Sequence, residues 1–538
     1  MSAPTATAPM HDPRVSPSGL RIMLNAQWRS GRRAVLLWTI GMVGVFVATV
    51  ASIDSLYGTP EKLADYAHAV GSGGATVAIN GQPYGVDTLG GVVAYEFGFM
   101  SSVAFPLMGI LLVARWTRGE EQSGRLEMVR AGAVSRSAPL AAAAILATSA
   151  FLATVLGFTI SLTAFDINVW DALSYSTSMG VLGLWFAAVT GLVAQVVERT
   201  RAVLGVALIV LVLAFVLRGI GDVRDNALTW LSPLGWAEET RAFADTRWWP
   251  LAIPLLFVLV IGVAAFTVVQ RRDLGSGMLA ARPGPTRASA MTMNSIGLAV
   301  RMHRNIVTAW AGIAVLVGAA FGSLTDPIED LASDNSAIQD VFGGDEADAF
   351  LAFCVLLIAL IAAGFALQTV GRMSEEERGG RLEPLLAGSL GRVRWLLGHL
   401  FAIGVGAILV ALVGGVALGV GVAGSTGDSG EIVRLAGSAL AYGPSVLTLG
   451  MLAVALYALR PALRSIGWVV YALVVVVAML GDTLQLDQWV RNLSPIEWVG
   501  RVPDESVAWW AVVAAGLMTL ALSAFALAAI RRRDVPGA

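Results

Sequence analysis

The chain has 538 residues, of which 56% are hydrophobic and 14% charged. Soluble domains carry roughly 25% charged residues, so this composition excludes an ordinary soluble protein and predicts a membrane protein. The net charge of -2 indicates no nucleic-acid partner, and a single cysteine, Cys354, excludes an intrachain disulfide or a cysteine metal cluster.

Residues 1–33 form a polar segment without the short apolar core and cleavage site of a removable signal peptide. Leu20, Met23, Leu24 and Trp28 fall on one face of a helix whose other faces carry arginines. This pattern predicts an amphipathic connecting helix in the membrane interface. A plain basic flank that only fixes orientation is an equally open alternative.

Twelve apolar segments follow, each close to the 20 or so residues that span a bilayer as a helix. We therefore predict an all-α polytopic membrane protein of about 12 transmembrane helices. Six lie in a first domain, 34–270, and six in a second, 296–530; an Arg-, Gly- and Pro-rich cytoplasmic linker, 271–295, joins them, and residues 531–538 form a tail. Most basic residues fall on the cytoplasmic side if both termini are cytoplasmic, as the positive-inside rule prefers.

Polar loops repeat between the halves, which chance similarity of apolar helices does not explain. Leu231-Ser232-Pro233 recurs as Leu493-Ser494-Pro495, and Arg271-Arg272-Asp273 recurs as Arg532-Arg533-Asp534. The loop after the second span matches its copy 256 residues later, at Glu120, Glu121, Gly124, Arg125, Leu126, Glu127, Ala131, Gly132 and Arg136. Each half has an even number of spans, so we predict two parallel repeats about an axis along the membrane normal.

The two repeated loops, 120–136 and 376–392, read as short helices with acids first and arginine later, as a helix dipole prefers. Leu126 with Val129, and Leu382 with Leu385 and Leu386, supply an apolar stripe beside the charges. Apolar anchors among orienting charges are typical of a docking surface. The alternative is that both loops are solvated and merely hold the topology.

With these two loops the chain resembles the ABC-2 permease family, the membrane subunits of type 2 ABC exporters (type V exporter-like), and in particular actinobacterial antibiotic and multidrug permeases with two fused halves. In that family this loop is a coupling helix that docks on an ATPase. The resemblance therefore implies ATPase contacts at Glu120, Glu121, Arg125, Leu126, Glu127, Arg130, Glu376, Glu377, Arg381, Leu382, Glu383 and Leu386. Many members have Gly-Thr-Leu-Glu where this chain has Gly-Arg-Leu-Glu twice.

The only lysine, Lys62, follows Pro60-Glu61, so no GxxxxGK[ST] phosphate loop exists here, and no HExxH or GxSxG motif occurs either. We expect no enzyme activity and no cofactor in this chain. The resemblance implies two copies of a separate ABC ATPase that binds ATP and Mg, and a location in the bacterial inner membrane. It also implies export of amphipathic drugs, antibiotics or lipid-like molecules.

Glu96 lies inside the second span, where it either meets a cationic substrate or reaches water at the outer interface. By resemblance the substrate path runs between the second and fifth helices of each half. That implies tentative cavity residues Tyr95, Glu96, Phe97, Met100, Phe105, Phe353 and Trp468. Lipid-facing side chains would look the same in sequence.

Two other functions remain open. A proton-coupled secondary transporter of the major facilitator type also has six plus six spans. Its loop signature is imitated only loosely around Gly371 and Gly380-Arg381, and only Glu96 lies clearly inside a span. A membrane protein that anchors or regulates an ATPase without transporting is the third alternative.

Overall fold

The computed structural model describes residues 17–70, 74–124, 126, 134–272, 277, 294–325, 346–388 and 390–533. Within these ranges the regular structure is helical, and twelve helices are long and apolar enough to cross a membrane. The prediction of an all-α polytopic membrane protein with 12 spans is confirmed.

The spanning helices of the first half are α1 Pro17–Tyr57, α2 Gly98–Gln122, α3 Ala138–Thr163, α4 Val169–Val196, α5 Thr200–Val223 and α6 Ala252–Arg271. Those of the second half are α7 Ser295–Gly322, α8 Glu346–Arg378, α9 Arg392–Thr426, α10 Gly430–Leu459, α11 Arg464–Leu480 and α12 Trp509–Arg532. Short α-helices occur at Pro60–Val70, Gly74–Asn80, Leu89–Glu96, Pro233–Glu238, Leu382–Ala387 and Gln488–Arg491, and 3-10 turns at Thr229–Leu231, Trp249–Leu251, Pro461–Leu463 and Glu497–Val499.

The chain divides into two compact units that follow the two halves, except that two segments of the first half belong to the second unit. The first unit contains Met1–Ala64, Asn80–Arg218 and Ala227–Pro283. The second contains the rest of the chain, including Asp65–Ile79 and Gly219–Asn226 from the first half. In each unit, the end at which α2 or α8 finishes is called the motif end. The opposite end is called the hairpin end.

The predicted connecting helix is not a separate element. Helix α1 runs unbroken for 41 residues, about 60 Å at the usual rise per residue. The helix therefore continues across the predicted boundary between residues 33 and 34. One face of its first turns is still buried, because Met23 packs in a core cluster with Leu126 and Val134. Trp28 lies on another face and is exposed.

The segment before the last helix repeats in detail. The indole N–H of Trp236 donates to the carbonyl of Trp230, and that of Trp498 donates to the carbonyl of Asn492, both at 2.7 Å. An exposed tryptophan pair lies just before α6, at 248–249, and at the start of α12, at 509–510. Such pairs are typical of membrane interfaces, so the matched loop sequences correspond to matched structures.

Candidate functional site

Helices α2 and α8 end at equivalent glycines, Gly124 and Gly380, which adopt φ angles of +72° and +65°. At the end of α8 the Arg381 N–H bonds to the Glu376 carbonyl at 3.0 Å, and the Gly380 N–H bonds to the Glu377 carbonyl at 3.1 Å. These two bonds form a Schellman motif, in which glycine supplies the left-handed residue.

The repeated acids therefore occupy the last turn of a spanning helix. The sequence predicted them at the start of a separate short helix, and that prediction is wrong. In the second copy the separate helix begins only at Leu382. A helix C-terminus disfavours negative charge, so these carboxylates need positive partners from elsewhere in the chain.

The first-half cluster consists of Glu121, Arg118, Arg272 and Gln195. Glu121 accepts from Arg118 at 2.7 Å and from Arg272, one bond of which measures 3.1 Å. Arg272 also donates to the amide oxygen of Gln195 at 2.9 Å, and Arg118 donates to the Ala194 carbonyl. The side chains of Arg118, Glu121 and Arg272 are each less than a tenth exposed. This cluster joins the end of α2 to the ends of α4 and α6.

The second-half cluster consists of Glu377, Arg533 and Tyr457. One guanidinium nitrogen of Arg533 donates to both carboxylate oxygens of Glu377 at 2.7 Å. The Tyr457 hydroxyl donates to Glu377 at 2.5 Å, and the Tyr457 carbonyl accepts from Arg533 at 2.9 Å. The cluster joins the end of α8 to the end of α10 and to the residue that follows α12.

The two clusters occupy equivalent positions in the repeat. Glu121 and Glu377 are 256 residues apart, Gln195 and Tyr457 are 262 apart, and Arg272 and Arg533 are 261 apart. The acidic loop and the arginine pair are separate repeated motifs in the sequence. In both halves they are bonded to each other. Where the first half has Arg118, the second has Ser374.

A second pair of bonds holds the far end of each loop. Arg136, just before α3, donates to the Gln270 carbonyl at 3.2 Å, and Arg392, the first residue of α9, donates to the Arg533 carbonyl at 2.6 Å. Each repeated loop is therefore bonded at its beginning and at its end to the motif end of the last helix of its own half.

The leucines of the motif face inward. Leu126 is 3% exposed and packs against Met23 of α1, and Leu382 is 1% exposed. The prediction that they contribute to an outward-facing apolar stripe is therefore wrong. In the second loop Arg381 is exposed, while Glu383, Leu385 and Leu386 are half-buried. Arg125, Glu127, Val129 and Arg130 of the first loop lie outside the described residues.

The first acid of each pair behaves differently from the second. Glu376 is buried, and its carboxylate lies 3.9 Å from Nε2 of His399, whose Nδ1 is 2.9 Å from Nε2 of the buried His303. Its counterpart Glu120 is half-buried. Glu376 therefore faces the interior of its unit.

The predicted cavity residues are dispersed. Phe97 and Phe105 are buried in an aromatic core with Phe46 and Phe158, so they serve packing and do not line an open space. Glu96 ends the helix Leu89–Glu96 and interacts electrostatically with Tyr57 at the end of α1. Met100 and Phe353 are half-buried, Trp468 is exposed, and Tyr95 alone of the set lines a described cavity.

Sequence reasoning missed Arg118, Gln195 and Tyr457. The sequence places all three near the ends of apolar segments and does not identify them as partners of the acidic loops. The sequence does contain one signal for two of them. An offset of 262 residues relates Gln195 to Tyr457, and the same offset relates the two Leu-Ser-Pro segments.

Two comparisons with known proteins show the family of this chain. The family described as "Multidrug efflux system permease Rv1217c, C-terminal domain" matches residues 20–269 and, separately, residues 293–531. The chain is 33% identical over 526 residues to the multidrug efflux system permease protein Rv1217c of Mycobacterium tuberculosis (strain ATCC 25618 / H37Rv), covering 95% of this chain and 94% of that protein. One family description thus matches both halves, which independently supports the internal repeat.

Proposed function

The chain belongs to the family of the multidrug efflux system permease Rv1217c, and from that premise we propose that it is the membrane subunit of an ATP-driven exporter. Each repeated loop is the contact for an ABC ATPase on the cytoplasmic side. The protein is a multi-pass permease of an efflux system. ATP and Mg bind to the ATPase, and both termini face the cytoplasm of a bacterial cell.

The observation that carries this proposal is the recurrence of the Glu–Arg bond in both clusters. A loop that receives force from a motor must be joined firmly to the helices that move. Removing one partner of a buried ion pair leaves the other charge buried and unpaired, so the carboxylate of each loop and the arginine after the last helix are kept together. Displacement of the loop therefore displaces the ends of α6 or α12 as well.

Two such loops in one chain require two motor contacts. We propose that two copies of one ATPase, or a pair of related ATPases, bind one permease. In the second loop the exposed Arg381 beside the half-buried Leu386 supplies the mixture of charge and apolar surface that docking surfaces use. Closure of the ATPases on ATP moves both loops and turns the transport path outward.

The test is association and coupling. The permease is co-expressed with ABC ATPases from the same genome, and co-purification and drug-stimulated ATP hydrolysis are measured. The double variant Arg125→Glu, Arg381→Glu is expected to reduce both at least about tenfold, because like charges then face the docking site. The matched control is Arg199→Glu with Arg460→Glu, which reverses two exposed arginines at the motif end outside the loops.

Full association of the Arg125, Arg381 variant would refute the docking role. Failure to bind any ATPase, with efflux that collapses together with the proton gradient, would instead favour a proton-coupled transporter. The substrate that we propose is an amphipathic drug, antibiotic or lipid-like molecule, as in multidrug export.

A further inference from the structure

A polar cavity lies within the first unit at its hairpin end. Its volume is about 80 Å³, and its walls come from α2, α4, the end of α5 and the segment around Pro233–Glu238. The lining has two parts, a buried floor of hydroxyl groups and a rim of charged side chains. These residues take no part in the ATPase docking proposed above.

The floor consists of Ser101, Tyr175, Ser178 and Tyr95, each no more than 5% exposed. The Tyr175 hydroxyl donates to Oγ of Ser101 at 3.2 Å, and Oγ of Ser178 donates to the Tyr175 carbonyl at 2.8 Å. A hydroxyl group both donates and accepts, so these oxygens keep acceptor capacity toward the cavity. The floor therefore suits a ligand that donates a hydrogen bond.

The rim is charged but balanced. Arg218 lies 3.6 Å from Glu238, and Arg241 lies 3.1 Å from Glu239. The two guanidinium groups also lie over aromatic rings, Arg218 over Phe215 and Arg241 over Tyr84. Because each guanidinium already has a carboxylate neighbour, a charged group of a ligand would have to compete with an existing ion pair.

The second half shows that the fold does not require this polar lining. The offsets that align the repeated motifs place Leu351, Leu357, Leu440 and Leu480 at the positions of Tyr95, Ser101, Ser178 and Arg218. Buried polar groups in a membrane protein are costly and mark functional sites. Leucine occupies four of the equivalent positions and Gly437 lies at that of Tyr175, so packing alone does not account for the polar lining of the first half.

We propose that this cavity binds the neutral, hydroxyl-bearing end of an amphipathic substrate. The inference rests on the proposed export function and names its substrate class. The volume admits only a small group, so the apolar remainder of the ligand lies outside the cavity. Balanced charges select against ionic head groups, while the hydroxyl floor replaces the hydrogen bonds that the ligand loses with water.

The experiment measures binding to the purified full-length permease alone in lipid nanodiscs, without ATPase or ATP. The probes are 4-octylphenol and 1-methoxy-4-octylbenzene, which differ in one hydroxyl donor, and binding to nanodiscs without permease is subtracted. We expect the phenol to bind about tenfold tighter, the equivalent of one good hydrogen bond.

Two variants test the floor. Tyr175→Phe removes one hydroxyl at nearly constant volume and is expected to weaken phenol binding about fivefold to tenfold. Ser178→Leu introduces the second-half residue into the cavity and is expected to abolish the preference for the phenol. Ser445→Ala is the matched control, because Ser445 is a buried serine of the second half outside this cavity.

Equal affinity of the two probes, or unchanged phenol binding in Ser178→Leu, would overturn the proposal even if Tyr175→Phe fails to fold. The result is independent of the motor. Selective phenol binding without any ATPase association would leave this site standing and remove ATP-driven export. ATPase coupling without selective phenol binding would leave ATP-driven export standing and remove this site.

Discussion

The first-half cluster neutralises one carboxylate with two arginines, whereas the second-half cluster uses one arginine and a tyrosine hydroxyl. What the halves share is the bond from the last turn of α2 or α8 to the arginine at the end of the last helix. The third partner is free to vary between a charge and a neutral donor. The Glu–Arg bond is therefore the constrained element, and the rest of each cluster adjusts to it.

The largest effect is expected for Glu121→Gln. This change removes the carboxylate that Arg118 and Arg272 share and leaves two positive charges less than a tenth exposed. Removal of one partner from a buried ion pair costs about 3–5 kcal/mol, so the free energy of unfolding should fall by that amount. Thermal unfolding of the purified protein measures the loss, and efflux should fall with it. Glu120→Gln, at the adjacent half-buried position, is the control for the unfolding measurement.

Glu377→Gln should be milder, which sharpens the comparison. Only one arginine loses its carboxylate, and the glutamine oxygen still accepts from Tyr457 or Arg533. We expect a loss of about 2 kcal/mol, typical of a hydrogen bond to a charged group, with ATP hydrolysis retained and efflux reduced. Glu375→Gln, at an exposed position in the same turn, should change neither property. A stability loss equal to that of Glu121→Gln would show that the extra arginine of the first half has no energetic weight.

The sequence alone predicted the number of spans and the internal repeat, because hydrophobic length and matched polar loops are local properties of the chain. It could not predict that Glu121 bonds to Arg272, since the two are 151 residues apart and belong to motifs with different offsets. Nor could the sequence show whether Leu126 faces inward or outward, because an apolar residue beside charges is compatible with either. Burial against Met23 is decided by how α1 packs.

The polar cavity illustrates the same limit. The serines and tyrosines that form its floor are unremarkable in an apolar helix, where hydroxyls bond to the preceding turn. Only the packing of α2 against α4 places Ser101 beside Tyr175. A comparison of the halves shows leucine at several of these positions. That difference becomes informative only once the fold establishes that the positions line one cavity.

The smallest effect is expected for Tyr457→Phe, which removes the neutral donor of the second-half cluster and leaves the ion pair of Glu377 and Arg533 intact. A stability loss of about 1 kcal/mol follows from one hydrogen bond. Tyr471→Phe is the matched control, because that hydroxyl also donates one hydrogen bond, to the Leu360 carbonyl at 2.9 Å, away from the cluster. Both variants should lower the unfolding temperature similarly, but only Tyr457→Phe should lower the number of substrate molecules exported per ATP hydrolysed. An unchanged ratio in both would mean that the tyrosine stabilises the unit without taking part in coupling, and that the Glu–Arg pair acts alone.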